Sequence, residues 1–315
     1  MLILETPRLR LRWFRPADAG FLCRLLNDPG WIANIGDRGV RTRAQAAHWI
    51  ETRHIAVYGR LGFGFWAVER REDGRLVGMC GLIQRDSLPE ADVGYALLPR
   101  YRGLGYAREA AAACVEYAHE VLGLAEVWGI TGPDNHASAA VLSAIGLRDH
   151  GRLRLPGEDR ETWLFKAPPR PAGDDHAQVD ALARRFLRAF GNRGQAIPTL
   201  AALPHYFAPG AVIHIANAAG DVVATDMHGF AAPWAQLLTS GRLADHAIRE
   251  TEDRTDLAGT VAHRWLRFEA RGRLDGAALA VCGTQSMQCT RTPRGWKIAA
   301  LASQEEAPAR AGRHG

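Results

Sequence analysis

The stretch that decides the fold of the first half of the chain is Asp92-Val-Gly-Tyr-Ala-Leu-Leu-Pro-Arg-Tyr-Arg-Gly-Leu-Gly-Tyr-Ala-Arg-Glu-Ala110. Residues 92–98 are typical of a strand, and a long helix is predicted over about residues 106–122. Gly103 and Gly105 lie in the short turn between them. The first N–H groups of a helix have no partner within the helix, and the helix dipole favours negative charge there. Because glycines let a ligand approach the backbone closely, the turn predicts a phosphate cradle.

The spacing within this turn limits which phosphate ligand it could bind. Arg100 and Arg102 would add positive charge beside the cradle. A dinucleotide-binding fingerprint would need a third glycine where Arg108 stands, and the Gly-Lys-Ser/Thr ending of a P-loop is missing. The plain alternative is a glycine-containing turn between strand and helix that binds nothing.

Helix and strand patterns alternate on both sides of this stretch. Pro16 opens a short helix, and Thr42 has the capping-box spacing that predicts the start of a second one. The dipeptide Asp73-Gly74 predicts a hairpin between two apolar strands. A strand over residues 126–131 and a helix capped by Asn135 follow the long helix. The pattern predicts an α/β domain with a mixed sheet.

With this pattern in place, the stretch resembles the glycine-rich signature of the GNAT superfamily of acetyltransferases. More closely, it resembles the RimJ/RimL-type branch, which usually reads E-I-G-Y-x-L-x-P-x-Y-x-G-x-G-Y-A-x-E-A. Three other stretches agree with that branch, namely Glu5-Thr-Pro-Arg-Leu-Arg-Leu-Arg12, Asn27-Asp-Pro29 and Asp134-Asn-His-Ala-Ser-Ala-Ala-Val-Leu142. The resemblance covers about residues 2–166 and implies a splayed central sheet flanked by helices.

The resemblance implies an N-acetyltransferase that moves the acetyl group of acetyl-coenzyme A (acetyl-CoA) to a primary amine by direct attack on the thioester. The positions that it implies for coenzyme binding are Tyr95, Ala96, Leu97, Leu98, Arg100, Arg102, Gly103, Leu104, Gly105, Tyr106, Ala107 and Asn135. The amides of residues 102–107 would hold the pyrophosphate, and the edge of residues 95–98 would hydrogen-bond the pantetheine arm. Amides near Ala96 and Leu97 could stabilise the oxyanion.

The acceptor amine must lose a proton during this reaction. Asp92 occupies the family's Glu position and is the predicted general base, acting directly or through a water. Many relatives have a tyrosine as the general acid where this chain has Leu142. Ser138, Tyr106 or water would serve instead, or no acid is needed because the coenzyme A thiolate is a good leaving group. Asp92 and Ser138 are therefore the predicted catalytic residues.

A composition break at Ala167-Pro-Pro-Arg-Pro-Ala-Gly-Asp-Asp175 predicts a linker between two domains. We therefore expect an acetyltransferase domain over residues 1–167, a linker over 168–175, a second domain over 176–306 and a disordered tail over 307–315.

The second domain is predicted to begin with an amphipathic helix and to end with long antiparallel strands. It resembles the SnoaL-like, or nuclear transport factor two-like, cone fold, an α+β domain with a curved antiparallel sheet. That resemblance leaves three roles open, which are substrate selection, homodimer formation and a second enzyme such as an isomerase or hydrolase. The polar residues that could line a pocket are His214, Asp226, His228, His246 and His263.

Composition and charge exclude several other classes of protein. The formal net charge of +5 arises from 39 basic and 34 acidic residues without a basic run, so no nucleic-acid partner is expected. The five cysteines show no metal-ligand spacing, so no metal site is expected. The absence of a long apolar run or a signal-peptide pattern predicts a cytoplasmic protein without membrane contact. A primary amine on a small molecule or a protein N-terminus is the expected acceptor, and a non-catalytic acyl-CoA sensor is the alternative.

Overall fold

The computed structural model describes residues 1–156, 160–170, 173–217 and 219–306. The chain divides into two compact units, Met1–Pro171 and Ala172–Gly315. The tail predicted over residues 307–315 lies outside the described residues, as do residues 171–172 of the predicted linker. Asp174 caps the first helix of the second unit, and that helix begins at Asp175.

The first unit is built on an eight-stranded sheet. Its strands, numbered in chain order, are β1 (Leu2–Glu5), β2 (Leu9–Arg12), β3 (Phe65–Arg70), β4 (Leu76–Ile83), β5 (Asp92–Leu97), β6 (Trp128–Thr131), β7 (Arg148–Arg154) and β8 (Glu161–Lys166). Their spatial order is β1-β2-β3-β4-β5-β6-β8-β7. The β5–β6 pair is parallel and the other pairs are antiparallel, so the prediction of a mixed sheet is confirmed.

Six α-helices accompany this sheet, and they are α1 (Ala19–Leu26), α2 (Pro29–Asn34), α3 (Arg43–Ile50), α4 (Ala56–Leu61), α5 (Tyr106–Glu120) and α6 (His136–Ala144) among the described residues. Between α3 and α4 the chain forms one π-helical turn, Glu51–Ile55, which the sequence pattern did not predict. The parallel β5–β6 connection contains α5, as a crossover between parallel strands requires.

Local sequence signals explain where several of these elements begin. The capping box at Thr42 is confirmed, since its hydroxyl accepts from the Gln45 amide and the Gln45 side chain accepts from the Thr42 amide. The predicted hairpin between β3 and β4 is also confirmed, and Gly74 adopts a φ of +68° in its turn. Asn135 caps α6 as predicted, because its side-chain oxygen accepts from the Ser138 amide at 3.1 Å.

The core of the first unit lies between α5 and the centre of the sheet. Strand β4 is buried along nearly its whole length. Helix α5 packs against β4 and β5 through small side chains, namely Ala110, Ala111, Cys114 and Ala118. These side chains let the helix approach the sheet closely, and the Sγ atoms of Cys80 and Cys114 lie 3.5 Å apart across this contact.

The second unit combines three α-helices with a six-stranded sheet among its described residues. Its helices are α7 (Asp175–Arg188), α8 (Leu203–Tyr206) and α9 (Met227–Thr239). Its strands are β9 (Phe207–Ala216), β10 (Val222–Thr225), β11 (Leu243–Ala258), β12 (Val261–Leu274), β13 (Ala277–Thr292) and β14 (Gly295–Glu306). The order is β10-β9-β14-β13-β12-β11, and the β14–β9 pair alone is parallel among these pairs. None of the described helices in either unit is both long and apolar enough to span a membrane.

Candidate active site

The central feature of the first unit is a gap between β5 and β6. The structure shows one bridge between these strands, with Asp92 opposite Trp128, and the Trp128 amide donates to the carbonyl of Ala91 at 2.9 Å. Over the rest of β5 the described residues form no further strand pairing on this side. One edge of β5 is therefore open in the middle of the sheet.

Two residues of β5 present their backbone groups to this gap. Along a strand, successive N–H and C=O groups point to opposite edges. Because the Leu98 amide donates to the carbonyl of Val77 at 3.0 Å, the amides of Leu98 and Ala96 face β4. The amides of Tyr95 and Leu97 consequently face the gap. An extended ligand lying in the gap would find its backbone partners there.

The glycine-bearing turn after β5 lies beside this open edge. Gly103 and Gly105 have φ angles of +73° and +80°, a region that residues with a Cβ rarely adopt. Gly105 is the N-cap of α5, and its carbonyl accepts from the Glu109 amide at 3.0 Å, which closes the first helical turn. The amides of Tyr106 and the residues that follow it lack intrahelical partners, as at any helix start. Since nothing lies within 4 Å of a Cβ built on Gly103, an anionic group has room to approach.

The predicted arginines of this turn have different surroundings. The Arg102 guanidinium donates through Nε to the Leu97 carbonyl at 3.0 Å and forms an ion pair with Asp28. Arg100 stacks over the Tyr101 ring, 4.8 Å from its centroid. Arg108, which the sequence reasoning used only to exclude a dinucleotide fingerprint, is exposed and has no ion-pair partner among the described residues. Its place at the third position of the helix beside the cradle could have identified Arg108, from the sequence, as a candidate to bind a phosphate.

A cavity of about 910 Å³ joins the gap to the cradle. This volume suits a sizeable ligand, since ligand pockets usually measure about 300–1,000 Å³. The predicted residues that line it are Asp92, Tyr95, Ala96, Leu97, Arg102, Gly103, Gly105, Tyr106, Ala107, Asn135 and Ser138. Leu98, Arg100 and Leu104 are the predicted residues that the cavity lining lacks.

The sequence of the first unit is similar to known proteins. A family model for an acetyltransferase (GNAT) domain matches residues 8–148. The uncharacterized protein YkkB of Bacillus subtilis is 31% identical over 154 residues, which cover 48% of this chain and 88% of the relative. The uncharacterized N-acetyltransferase YoaA of the same organism is 30% identical over 155 residues, covering 48% and 86%.

The chain belongs to the GNAT acetyltransferase family. It is an N-acetyltransferase, and members of this family use acetyl-CoA to acetylate an amine. A solved structure, that of the acetyltransferase from Agrobacterium tumefaciens str. C58, is similar with a TM-score of 0.46 and 26% identity, over 52% of this chain and 93% of that one. These similarities span about half of the chain.

In this GNAT domain the predicted base, Asp92, lies at the closed end of the gap and is 1% exposed. Arg85 binds both of its carboxylate oxygens, with Nε to Oδ1 at 2.8 Å and Nη2 to Oδ2 at 3.3 Å. Burial raises the pKa of Asp92, and the Arg85 guanidinium offsets part of that rise. Each carboxylate oxygen of Asp92 thus already accepts one hydrogen bond from a cation.

On the other side of the gap, the first turn of α6 meets Tyr95. The Tyr95 hydroxyl donates to the Ser138 carbonyl at 2.8 Å and lies 3.0 Å from the Ser138 Oγ. Burial raises the pKa of Tyr95 above its ordinary value. The hydroxyl of Tyr95, a residue predicted only for coenzyme binding, thus lies beside that of Ser138, the predicted catalytic serine.

Leu142, where the family resemblance led us to expect a tyrosine, is a core residue of α6. A Cβ added to Gly129 on β6 would lie 2.6 Å from Leu142 Cδ2. The leucine is buried behind the sheet, whereas Ser138 and Val141 of the same helix line the cavity. The side chain at position 142 therefore packs the helix onto β6 and does not line the cavity.

The sequence reasoning missed His54, which also lines the cavity. His54 lies in the π-helical turn and is 3% exposed. Neither of its ring nitrogens has a hydrogen-bond partner among the described residues. Burial lowers the pKa of His54 to about 4. No motif or spacing in the sequence marks this residue, because the regular helical period gives no sign of a π-turn.

The polar residues proposed for a pocket in the second unit have different surroundings, and His263 lines a cavity with Arg254, Asp256 and Trp265. His214 and His228 are exposed, whereas His246 is buried and its Nδ1 lies 2.8 Å from the Phe190 carbonyl. Asp226 caps α9, since its side chain accepts from the Gly229 amide at 2.8 Å. His263 Nε2 lies 2.9 Å from the Ser286 Oγ. Among the described residues of either unit, no group of three or more His, Cys, Asp or Glu is arranged to hold a metal ion.

Proposed function

We propose that this chain acetylates a primary amine, on a small molecule or at a protein N-terminus, in the manner of the RimJ/RimL branch. The acceptor nitrogen attacks the acetyl thioester directly, and the coenzyme A thiolate leaves. The observation that carries this proposal is the cavity itself, because the open edge of β5 and the glycine cradle lie in its wall together. The cradle would hold the pyrophosphate of acetyl-CoA, and the open edge of β5 would hold its pantetheine arm.

The residues present fit the phosphate end of acetyl-CoA. Gly103 leaves open space at the turn, and the amides of Tyr106 and Ala107 follow at the helix start. Arg108 would supply the mobile positive charge, since Arg102 is held by Asp28. Backbone amides and one cation together favour a pyrophosphate over a neutral ligand.

The residues of the open edge fit the pantetheine arm, which carries amide groups of its own. The amides of Tyr95 and Leu97 face the gap and would hydrogen-bond that arm as a neighbouring strand does. Of the two residues whose amides were predicted for the oxyanion, Ala96 presents its amide to β4 and Leu97 presents its amide to the gap, so the Leu97 amide would stabilise the oxyanion. Asn135 would support coenzyme binding indirectly, because its side chain caps the first turn of α6.

Two predicted residues would handle protons in this proposal. Asp92, which lines the cavity, would draw a proton from the amine, directly or through a water. Ser138 would return a proton to the thiolate, and the Tyr95 hydroxyl beside it supports that role, because two adjacent hydroxyls can pass a proton between them.

The experiment that tests this function measures free thiol released from acetyl-CoA by the full chain. The amines offered are spermidine, kanamycin, lysine, glutamate, and peptides that begin with Ala or Ser. Turnover with one class identifies the acceptor, and mass spectrometry of the product locates the acetyl group. Tight binding of coenzyme A without turnover of any amine would point instead to the acyl-CoA sensor.

The second unit has a separate proposed role. We infer that residues 176–306 form a SnoaL-like accessory domain that selects substrate or joins two copies of the chain. Its helices followed by a largely antiparallel sheet support this assignment. Light scattering of the full chain tests the homodimer, since a monomer mass at micromolar concentration contradicts it.

A further inference from the structure

We propose, resting on the function proposed above, that the acceptor is an apolar or aromatic primary amine that also carries a carboxylate, and that Arg38 and Arg53 bind this carboxylate. Neither arginine belongs to the motifs that the sequence analysis identified. Three observations carry the inference, which are the direction from which an amine can reach the open edge of β5, the apolar wall on that side, and the charges that line the cavity.

The two faces of β5 are covered differently. Side chains along a strand alternate between the faces, and residues paired across neighbouring strands share a face. Tyr95 is paired with Cys80, whose Sγ lies 3.5 Å from that of Cys114 on α5. Since the Tyr95 hydroxyl donates to the Ser138 carbonyl, α5 and α6 together cover this face. An acceptor amine would therefore approach the open edge from the opposite face, to which Gly94 belongs.

The opposite face forms one wall of a chamber whose other wall comes from α1–α3 and the π-helical turn. Phe65 and Gly94 are both paired with Gly81 of β4, and a Cβ added to Gly94 would lie 2.8 Å from Phe65 Cζ. The Phe65 ring meets the His54 ring edge-on at 6.4 Å, which places the π-helical turn over this face.

This part of the cavity, called the acceptor chamber below, has a largely apolar and aromatic lining. Ile35 contributes to it although its side chain is 41% exposed, as expected for a wall that a ligand would cover. An apolar wall of this kind favours an acceptor whose body is itself apolar or aromatic. The side chains that define the acceptor chamber are Leu25, Trp31, Ile35, Trp49, Phe65 and Met79.

The charged groups that line the cavity are mostly arginines. Among the described residues five arginines line it, and Asp92 is the only carboxylate that does. Asp92 is bound through both oxygens to Arg85, and Arg102 is paired with Asp28. The lining arginines that have no ion-pair partner in the described part of the chain are Arg38, Arg53 and Arg108.

Two of these three cations lie beside the acceptor chamber. Arg108 belongs to α5 at the cradle, where it is assigned to the coenzyme. The Arg53 guanidinium lies over the ring of Trp49, 5.6 Å from its centroid, and Arg38 Nη2 donates to the Ile35 carbonyl at 3.3 Å. Both arginine side chains are exposed, so each could turn toward a ligand without breaking an ion pair.

This arrangement selects among amines by their charge. A guanidinium presents its donors as a planar fork that matches a carboxylate, so Arg38 and Arg53 would favour an acceptor that carries one. A polyamine would instead bring further positive charge into a cavity whose lining carboxylate is already bound to Arg85. The acceptor chamber would thus favour an amine with a carboxylate and disfavour a polycation.

The test compares pairs of amines that differ in one carboxylate, with acetyl-CoA and the full chain. The pairs are phenylalanine with phenylalaninamide, leucine with leucinamide, and the dipeptide amides Phe-Glu and Phe-Gln, and spermidine is the polycation. We expect the carboxylate member of at least one pair to exceed its partner about tenfold or more in kcat/KM, as one charge-assisted hydrogen bond would produce. Spermidine should be the slowest acceptor.

Substitutions then test the two arginines on the pair with the largest difference. Arg38→Gln and Arg53→Gln should each lower kcat/KM for the carboxylate member about tenfold and leave that for its amide partner within about twofold. Both should leave the KM for acetyl-CoA unchanged, whereas Arg108→Gln should raise it. The control is Arg43→Gln, at an exposed position of α3 outside the described lining of the cavity, and it should match the wild type.

The outcomes separate this inference from the function on which it rests. If the wild-type chain acetylates no amine at all, the proposed function fails and the acceptor class fails with it. If the chain is active but the amides match the carboxylates in every pair, or spermidine is the fastest acceptor, only the acceptor class is overturned. If Arg38→Gln and Arg53→Gln keep the preference for the carboxylate, the role of these arginines is wrong. A raised KM for acetyl-CoA with that preference intact would assign them to the coenzyme and overturn the role as well.

Discussion

The His54→Phe variant should differ from the wild-type chain in how its stability responds to acid. His54 is buried against Phe14 and Phe65, and its pKa falls from 6.5 in the unfolded chain to about 4 in the folded one. Between these two values the unfolded chain binds a proton that the folded chain cannot bind. The titration of His54 therefore leaves the wild-type free energy of unfolding unchanged above pH 6.5. As the pH falls from 6.5 toward 4, this titration lowers that free energy progressively.

The size of the loss follows from the two pKa values. One pKa unit corresponds to about 1.4 kcal/mol, so the full effect is about 3 kcal/mol, of which about 2.5 kcal/mol is reached by pH 4.5. Phenylalanine binds no proton in either state. The stability difference between variant and wild type should thus grow by about this amount in favour of the variant as the pH falls from 7.5 to 4.5.

Urea denaturation at pH 7.5, 6.5, 5.5 and 4.5 measures this difference, because the acid response of every other group cancels between the two chains. Hydrogen exchange in residues 43–61 confirms that the unfolding event involves the first unit. The exposed His48→Phe change is the control for replacing a histidine by phenylalanine on the neighbouring helix α3. Parallel curves for wild type and His54→Phe would refute the reasoning, since they would mean that His54 is solvated or paired in solution.

Three further changes test other parts of the structure. Gly105→Ala, at a φ of +80°, should cost about 1 kcal/mol and raise the KM for acetyl-CoA about tenfold, whereas Gly74→Ala, at +68° in a remote hairpin, should cost as much and leave that KM unchanged in a thiol-release assay. Arg264→Met removes a guanidinium that is 1% exposed among carboxylates and should cost about 3–5 kcal/mol in urea denaturation, whereas the same change at Arg254, whose side chain is 75% exposed, should cost about 0.5 kcal/mol or less. Tyr95→Phe removes the hydroxyl that crosses the gap and should lower kcat about tenfold while costing about 1 kcal/mol of stability, measured by steady-state kinetics and thermal unfolding.

The parts of the site that could be predicted from the sequence are those with local causes. A helix cap depends on residues a few positions apart, so Thr42 and Asn135 marked the starts of their helices correctly. The left-handed φ angles of Gly103 and Gly105 likewise follow from their own lack of a Cβ. The hairpin at Asp73-Gly74 is of the same kind. Each of these features is decided within about one turn of backbone.

The parts that could not be predicted depend on partners distant in the sequence. His54 is buried because Phe14 and Phe65 pack on it, and neither contact leaves a trace in the spacing of nearby residues. The same holds for Leu142, whose orientation is set by its contact with Gly129. Asp92 was predicted to be the base from its position in the motif. Its ion pair with Arg85 could not be predicted, because it depends on how the loop after β4 folds back.

The stretch Asn27-Asp-Pro29 shows how a motif can be recognised before its physical purpose is known. Asp28 caps α2 by accepting from the Trp31 amide at 3.1 Å, and it also forms the ion pair with Arg102 of the cradle. Gly30 belongs to this contact, because a Cβ there would lie 2.7 Å from the Arg102 Nη1. Arg102 in turn donates to the Leu97 carbonyl, so one guanidinium ties α2, the cradle and the open strand edge together. A cation used in this way is not free to follow a phosphate, so in the proposed coenzyme complex the mobile charge would come from Arg108, which is exposed and lines the cavity.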